Sequence, residues 1–345
     1  METVTLIGID LAKSIFHLQG NDSKGRSIYK KKLNRADLLT FMQSQKPCVV
    51  AMEACCGAHQ WARRFKDLGH SPRLISPQFV KPFVKGNKND RNDASAICEA
   101  AVRPSMRFVA IKSGWQTDLQ AIHRVRTRLS QNRTAVMNEM RGILAETGLV
   151  ISQGVIPLKK IAQSICLTEA SVEVSNMCRE TIADLFCELR DIEERISVQE
   201  KRMKEIADKH PVCTQLMKIS GIGKITATAL LAAVTDPNEF KNGRHFSAWL
   251  GLVPRHSGTG GHNRIGSISK RGDKNLRCLL VHGARASIRT VTKRNDRTSV
   301  WAASLKDKHG YNKAAVALAN KNARIIWAIL ARGVEYDVNF AATAA

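Results

Sequence analysis

Residues 85–101 read Lys85-Gly-Asn-Lys-Asn-Asp90-Arg-Asn-Asp93-Ala-Ser-Ala-Ile97-Cys-Glu-Ala-Ala101. A loop rich in Lys, Asn and Gly leads to two carboxylates three residues apart, and a run of good helix formers follows. An Asp just before such a run can accept a hydrogen bond from the free N–H groups of the first helical turn. At a spacing of three, Asp90 and Asp93 face the same side. Two acids on one side repel unless a cation lies between them. Taken alone, either Asp is a helix cap; a metal site requires further carboxylates from elsewhere in the chain.

The preceding residues supply them. Val4-Thr5-Leu6-Ile7-Gly8-Ile9-Asp10 predicts a buried strand ending in an acid. Strands follow at residues 15–19 and 27–33, the latter carrying Lys30-Lys31-Lys32, with Gly-containing turns between them. A short helix is expected over 36–43. Cys48-Val-Val-Ala-Met52 is a second continuous apolar strand ending in an acid, Glu53. A helix over 59–68 and a strand over 72–75 complete the pattern. Three meandering strands followed by strand–helix alternation is the order of a ribonuclease-H-like α/β fold. In open α/β sheets ligands bind beyond the carboxyl ends of strands, where Asp10 and Glu53 fall. Asp90 and Asp93 can close that site from the side. Four carboxylates form an oxygen-rich cage suited to Mg²⁺ or Mn²⁺. Two such ions roughly 4 Å apart serve phosphodiester chemistry.

Composition bounds the partners. The 345 residues carry 54 Lys and Arg against 30 Asp and Glu, a formal net charge of +24. A chain that basic requires a polyanion, and nucleic acid is the expected one. The excess is +9 over residues 1–110, +1 over 111–210 and +14 over 211–345. These divisions correspond to an expected nuclease domain, a structural helical middle and a basic C-terminal domain. The nine cysteines form no C-x-x-C pair, which argues against a zinc finger or a disulfide framework and for a reducing cytoplasm. The N-terminus lacks the pattern of a signal peptide, and no apolar run is read as a membrane span.

In the middle, residues 115–149 predict a helix with Leu119, Ile122, Val125, Leu129, Val136, Met140 and Ile143 near one face. Arg124, Arg126, Arg128 and Arg133 lie opposite, as a solvated face or a nucleic-acid contact. Over 179–209, Ile182, Leu185, Leu189, Ile192, Ile196, Gln199, Met203 and Ile206 form a heptad seam. Such a seam suits an intrachain hairpin or a coiled coil between protomers; near-neutral charge favours the coiled coil and a homo-oligomer.

Beyond residue 211 the chain is mainly helical and basic. Leu216 to Leu231 resembles a helix-hairpin-helix, whose Gly221-Ile-Gly223 turn lets backbone approach a phosphate. Residues 246–273 then run Phe-Ser-Ala-Trp-Leu-Gly-Leu-Val-Pro-Arg-His-Ser-Gly-Thr-Gly-Gly-His-Asn-Arg-Ile-Gly-Ser-Ile-Ser-Lys-Arg-Gly-Asp. The Gly and Ser content predicts a loop without regular structure, handling phosphate through Arg255, Arg264, Lys270 and Arg271. Asp273 is expected to cap a helix over 274–291. A last helix covers 311–336, before an Ala-rich tail expected to be disordered.

The segments I-G-I-D-L-A-K, V-A-M-E-A-C-C-G, K-N-D-R-N-D-A, G-L-V-P-R and I-S-K-R-G-D together resemble the Asp-Glu-Asp-Asp (DEDD) transposases of the insertion-sequence-110 family, subgroup 1111. Related Piv-type DNA invertases share the pattern. The resemblance spans nearly the whole chain. It implies a RuvC-like nuclease fold over the first 110 residues, with Asp10, Glu53, Asp90 and Asp93 as the acids. It also implies an oligomer, a bacterial nucleoid-associated protein, guidance by an RNA encoded in the element, and a catalytic serine that forms a phosphoserine link to DNA. A serine hydroxyl needs activation.

Here the chain departs from the pattern. Relatives place a hydroxyl pair before Gly-Gly, whereas this chain reads His256-Ser257-Gly258-Thr259-Gly260-Gly261. Ser257 fits with a shift of one residue and, as a primary alcohol, is the favoured nucleophile; Thr259 is the alternative. The competing readings are a hydrolytic nuclease of the Holliday-junction-resolvase kind, where water attacks, and a DNA-binding protein with a dead site.

Overall fold

The computed structural model describes residues 3–84, 90–167, 174–259 and 262–337, excluding the side chains of Asp90, Arg91, Thr259, His262 and Asn263. The Lys- and Asn-rich loop at 85–89 and the Ala-rich tail at 338–345 therefore lie outside the described residues. The chain divides into two compact units, residues 1–117 and 118–345.

In the first unit the elements are β1 (Leu6–Leu11), β2 (Ile15–Asn21), β3 (Ser27–Asn34), α1 (Arg35–Gln43), β4 (Val49–Glu53), α2 (Ala58–Asp67), β5 (Ser71–Ile75), the single turn α3 (Pro77–Val80), α4 (Asp90–Ala101) and the short β6 (Phe108–Val109). The sheet order is β3-β2-β1-β4-β5-β6. β1, β4 and β5 run parallel, while β2, β3 and β6 are antiparallel to their neighbours. This mixed sheet with its helices is consistent with a ribonuclease-H-like domain. Both sheet faces are covered, so the central strands are apolar on both sides. Ile7, Ile9, Val50 and Met52 pack with Leu38 and Met42 of α1 and with Trp61 and Phe65 of α2. The alternate residues Leu6 and Ala51 pack with Ala96, Ile97 and Ala100 of α4.

Among its described residues the second unit is helical apart from one hairpin. The helix α5 (Gly114–Glu146) leads into it, followed by α6 (Val155–Cys166), α7 (Asn176–Lys209), α8 (Pro211–Met217), α9 (Lys224–Ala233), α10 (Gly243–Trp249), β7 (Pro254–Thr259), β8 (His262–Ile268), α11 (Lys274–Arg289), α12 (Arg297–His309) and α13 (Tyr311–Arg332). Asp273 caps α11, accepting N–H bonds from Asn275 and Leu276 at 2.8 and 3.0 Å. Phe246, Leu280, Ile288, Leu318 and Ile326 centre the core of the last helices.

Two expectations are corrected. The heptad seam of α7 is covered within the chain: Ile182, Leu189, Ile192 and Ile196 pack with Val136, Met140 and Leu144 of α5 and with Leu158 and Ile165 of α6. A protomer–protomer coiled coil through this seam is replaced by an intrachain helical bundle, because α6 supplies a partner that periodicity alone does not assign. The Gly- and Ser-rich segment after Pro254 is not irregular either; it forms the β7–β8 hairpin, closed by Thr259 opposite His262. Only Gly260 and Gly261 separate those two residues in sequence, the connection length most frequent in hairpins. Among the described residues, α13 is the one helix long and apolar enough to cross a membrane, and half of it is buried in the core.

Candidate active site

Strand alternation decides where the first two acids go. Ile7 and Ile9 face α1 and α2, so Leu6, Gly8 and Asp10 belong to the opposite face, which α4 covers. On β4, Val50 and Met52 face α1 and α2, which leaves Ala51 and Glu53 on the α4 face. The strands are parallel and in register, Gly8 beside Ala51 and Ile9 beside Met52. Asp10 and Glu53 thus come next to each other at the carboxyl ends of adjacent strands, on one face.

The helix bearing the other two acids crosses that face. A Cβ at Gly8 would lie 2.5 Å from the Cys98 sulfur and 2.7 Å from the Ala94 carbonyl oxygen, so only glycine admits this approach. At the other end of α4, Ala101 lines the same groove as Thr5 and Leu6, at the start of β1. The helix therefore runs antiparallel to β1, and its first turn, Asp90 to Asp93, approaches the end of the strand where Asp10 lies. Asp93 is half-buried and sits within that turn rather than capping it. Among the described residues no three His, Cys, Asp or Glu side chains are grouped closely enough to hold a metal. The side chain of Asp90 lies outside the described residues.

Two neighbours of the acids carry no strong sequence signal. His17 pairs directly with Asp10 across β1 and β2, and directly opposed residues share a face. Cys55 lies beyond Glu53, its sulfur 3.8 Å from the Leu11 carbonyl oxygen. Burial first, then the negative charges of Glu53 and Asp10, push its thiol pKa up. Counting strand parity through Ile15-Phe16-His17-Leu18 would have found His17; nothing local marks Cys55.

In the second unit Ser257 sits on β7 opposite Arg264 of β8, and both are exposed. A hydroxyl and a guanidinium therefore share one face of the hairpin. Its base is tied to the segment that follows: the Ser269 N–H donates to the Val253 carbonyl at 2.8 Å, and the Lys270 N–H to the Gly251 carbonyl at 3.1 Å. Thr259 ends β7, and its side chain lies outside the described residues. On α5, Arg124 and Arg128 are exposed, whereas Arg126 is occupied by Glu200 at 2.7 Å.

The comparisons with known proteins match two segments of the chain. Residues 7–148 match the IS110 DEDD family, described as a transposase, and residues 213–299 match the transposase IS116/IS110/IS902 family. A "Probable family 20 transposase" of Pseudomonas aeruginosa is 46% identical over 96% of this chain and 98% of its own length. The transposase for insertion sequence element IS1111A of Coxiella burnetii is 43% identical over 97% of this chain and 92% of its own. A pilin gene-inverting protein of Moraxella bovis is 42% identical over 66 residues, 19% of this chain and 20% of its own. With both segments matched and full-length relatives aligned nearly end to end, the chain belongs to the IS110 family of insertion-sequence transposases.

Proposed function

We propose that this transposase cuts and rejoins DNA through a divalent-metal site made by Asp10, Glu53, Asp90 and Asp93 together with a nucleophilic hydroxyl on Ser257, in a RuvC-like nuclease domain. The observation that carries the reading is the in-register parallel pairing of β1 with β4, Ile9 beside Met52, after which Asp10 and Glu53 come next on the two strands. Two carboxylates side by side repel, and a cation relieves that repulsion. The donors are carboxylate oxygens, which suit Mg²⁺ or Mn²⁺. A cation held there would polarise the scissile phosphate and favour the attacking and leaving oxygens.

The remaining roles fall to the chain itself. The Ser257 oxygen bonds to phosphorus as the bond from phosphorus to the bridging sugar oxygen breaks; the hydroxyl proton is released and the sugar oxygen takes one up. The phosphodiester energy is kept in the phosphoserine link, so the strand can later be rejoined to a new end. Arg264, opposite Ser257, offers a guanidinium to the phosphate. The net charge of +24 supports polyanionic partners, DNA as substrate and an element-encoded RNA as guide.

The test is a supercoiled plasmid carrying the gene with its native flanking DNA, incubated with protein and Mg²⁺. Wild type is expected to exchange strands. Asp10→Asn is expected to lose cleavage while still shifting the DNA in a gel, because it removes one ligand charge and no phosphate contact. Full cleavage by the variant would exclude the metal site.

A further inference from the structure

The turn between α8 and α9 borders a cavity of about 600 Å³ that also reaches α11, α12 and α13. Its volume is that of a small-ligand site. None of its residues belongs to the carboxylate set or the serine hairpin. At one wall three polar groups converge: the Ser220 and Ser287 hydroxyls lie 2.9 Å apart, and Arg294 donates to the Ser220 hydroxyl. Asn322, buried on α13, fixes that wall by donating to the Ser220 carbonyl at 3.0 Å. Leu318 and Val291 form an apolar floor, and the ring of Tyr336 borders it.

Resting on the nucleic-acid reading above, we propose that this cleft holds one unstacked nucleotide of a nucleic-acid strand, with its phosphate on Ser220, Ser287 and Arg294 and its base against Tyr336 and the apolar floor. The walls differ in kind as a nucleotide does. Hydroxyls and a guanidinium suit the phosphate. An aromatic edge and aliphatic floor suit a base face. The carboxylate of Asp296, also on the wall, accepts from the Ser299 N–H and hydroxyl at 3.0 and 2.6 Å. It is an acceptor able to meet a base N–H, such as the thymine imide, and unsuited to a phosphate. Stacked duplex bases would leave the floor unused, whereas an extruded nucleotide uses both ends.

The sequence alone would put a phosphate on the Gly221-Ile-Gly223 backbone. The structure packs Gly221, at φ +90°, against α11: a Cβ there would lie 2.6 Å from the Gly283 carbonyl oxygen. The turn is thus pinned to α11, which brings Ser220 and Ser287 together.

The experiment uses the full chain and fluorescence anisotropy with a labelled ten-nucleotide oligo(dT) and a labelled mixed-sequence duplex, at one salt concentration, with thymidine monophosphate as a competitor. Arg294→Gln removes the cation. Thr290→Trp, at an exposed cavity residue, fills the space and keeps Arg294. Each variant is expected to weaken oligo(dT) binding about tenfold, as the loss of one stacked base does, and to leave duplex binding within about twofold. Equal weakening of both probes, or of neither, would overturn the proposal while leaving the transposase reading intact. Thymidine monophosphate binding that the variants abolish, with oligo(dT) unaffected, would also overturn it, in favour of a free-nucleotide site. Failure of wild type to bind either DNA would instead count against the nucleic-acid reading on which the proposal rests.

Discussion

Gly8 and Ala94 meet with no side chain between them: a Cβ on Gly8 would lie 2.7 Å from the Ala94 carbonyl oxygen. This approach sets the height of α4 over the sheet, and with it the distance from the helix's first turn to Asp10. Gly8→Ala is expected to destabilise the first unit by about 1–3 kcal/mol, the usual cost of overpacking, and to abolish DNA cleavage. Adding Cys98→Ala relieves the contact with the sulfur but not that with the carbonyl. Thermal unfolding with a cleavage assay checks both; the double variant should recover stability only in part and remain inactive. Wild-type cleavage by Gly8→Ala would show that the position of α4 does not matter to the chemistry.

The α7 seam is covered within the chain. Leu189→Lys with Ile196→Lys is therefore expected to destabilise the helical bundle, each uncompensated buried ammonium costing about 3 kcal/mol or more. Light scattering should show the same mass before thermal unfolding, at a lowered melting temperature. A fall in mass at unchanged melting temperature would restore the coiled coil between protomers.

Acid should loosen the second unit through His123. Its Nε2 lies 3.1 Å from the Thr228 hydroxyl, which itself donates to the Lys224 carbonyl at 2.8 Å. With the hydroxyl proton used on that carbonyl, the imidazole donates through Nε2. Burial first, then Arg126, push its pKa down from 6.5 to about 4. Between those values the unfolded chain binds the proton and the folded chain does not. Stability from this residue is whole above pH 6.5 and declines as pH falls toward 4, by about 2 kcal/mol between pH 7 and 5. Urea unfolding at the two pH values should show that loss in wild type, reduced by about the same amount in His123→Asn. Equal losses in both proteins would contradict the assignment.

Much of the first unit is readable in the sequence because its strands carry period-two patterns bounded by turns. The parity that buries Ile7 and Ile9 also sends Asp10 to the other face, and the same count places Glu53. The limits lie where local pattern is silent about tertiary partners. A heptad seam says that Leu189 and Ile196 are covered, not by which helix; α6 is the missing cover. The segment around Ser257 looks like a loop because Gly and Ser depress strand propensity, yet cross-strand pairing with Arg264 overrides it. His17 and Cys55 reach the acids by strand pairing and a chain turn, relations that spacing from Asp10 or Glu53 does not reveal.

The central claim is tested most directly by looking for protein on the cut DNA. Wild-type protein, Mg²⁺ and the plasmid with native flanking sequence are incubated, the reaction is stopped in denaturant, and any DNA-bound peptide is digested and identified by mass spectrometry. The expected result is a nucleotide phosphate on the Ser257 hydroxyl, present in wild type and Thr259→Ala and lost in both Ser257→Ala and Asp10→Asn. Phosphate on Thr259 would transfer the nucleophile to that residue. Efficient cleavage with no protein attached at either residue would contradict the account, leaving water as the attacking group and the chain a hydrolytic nuclease.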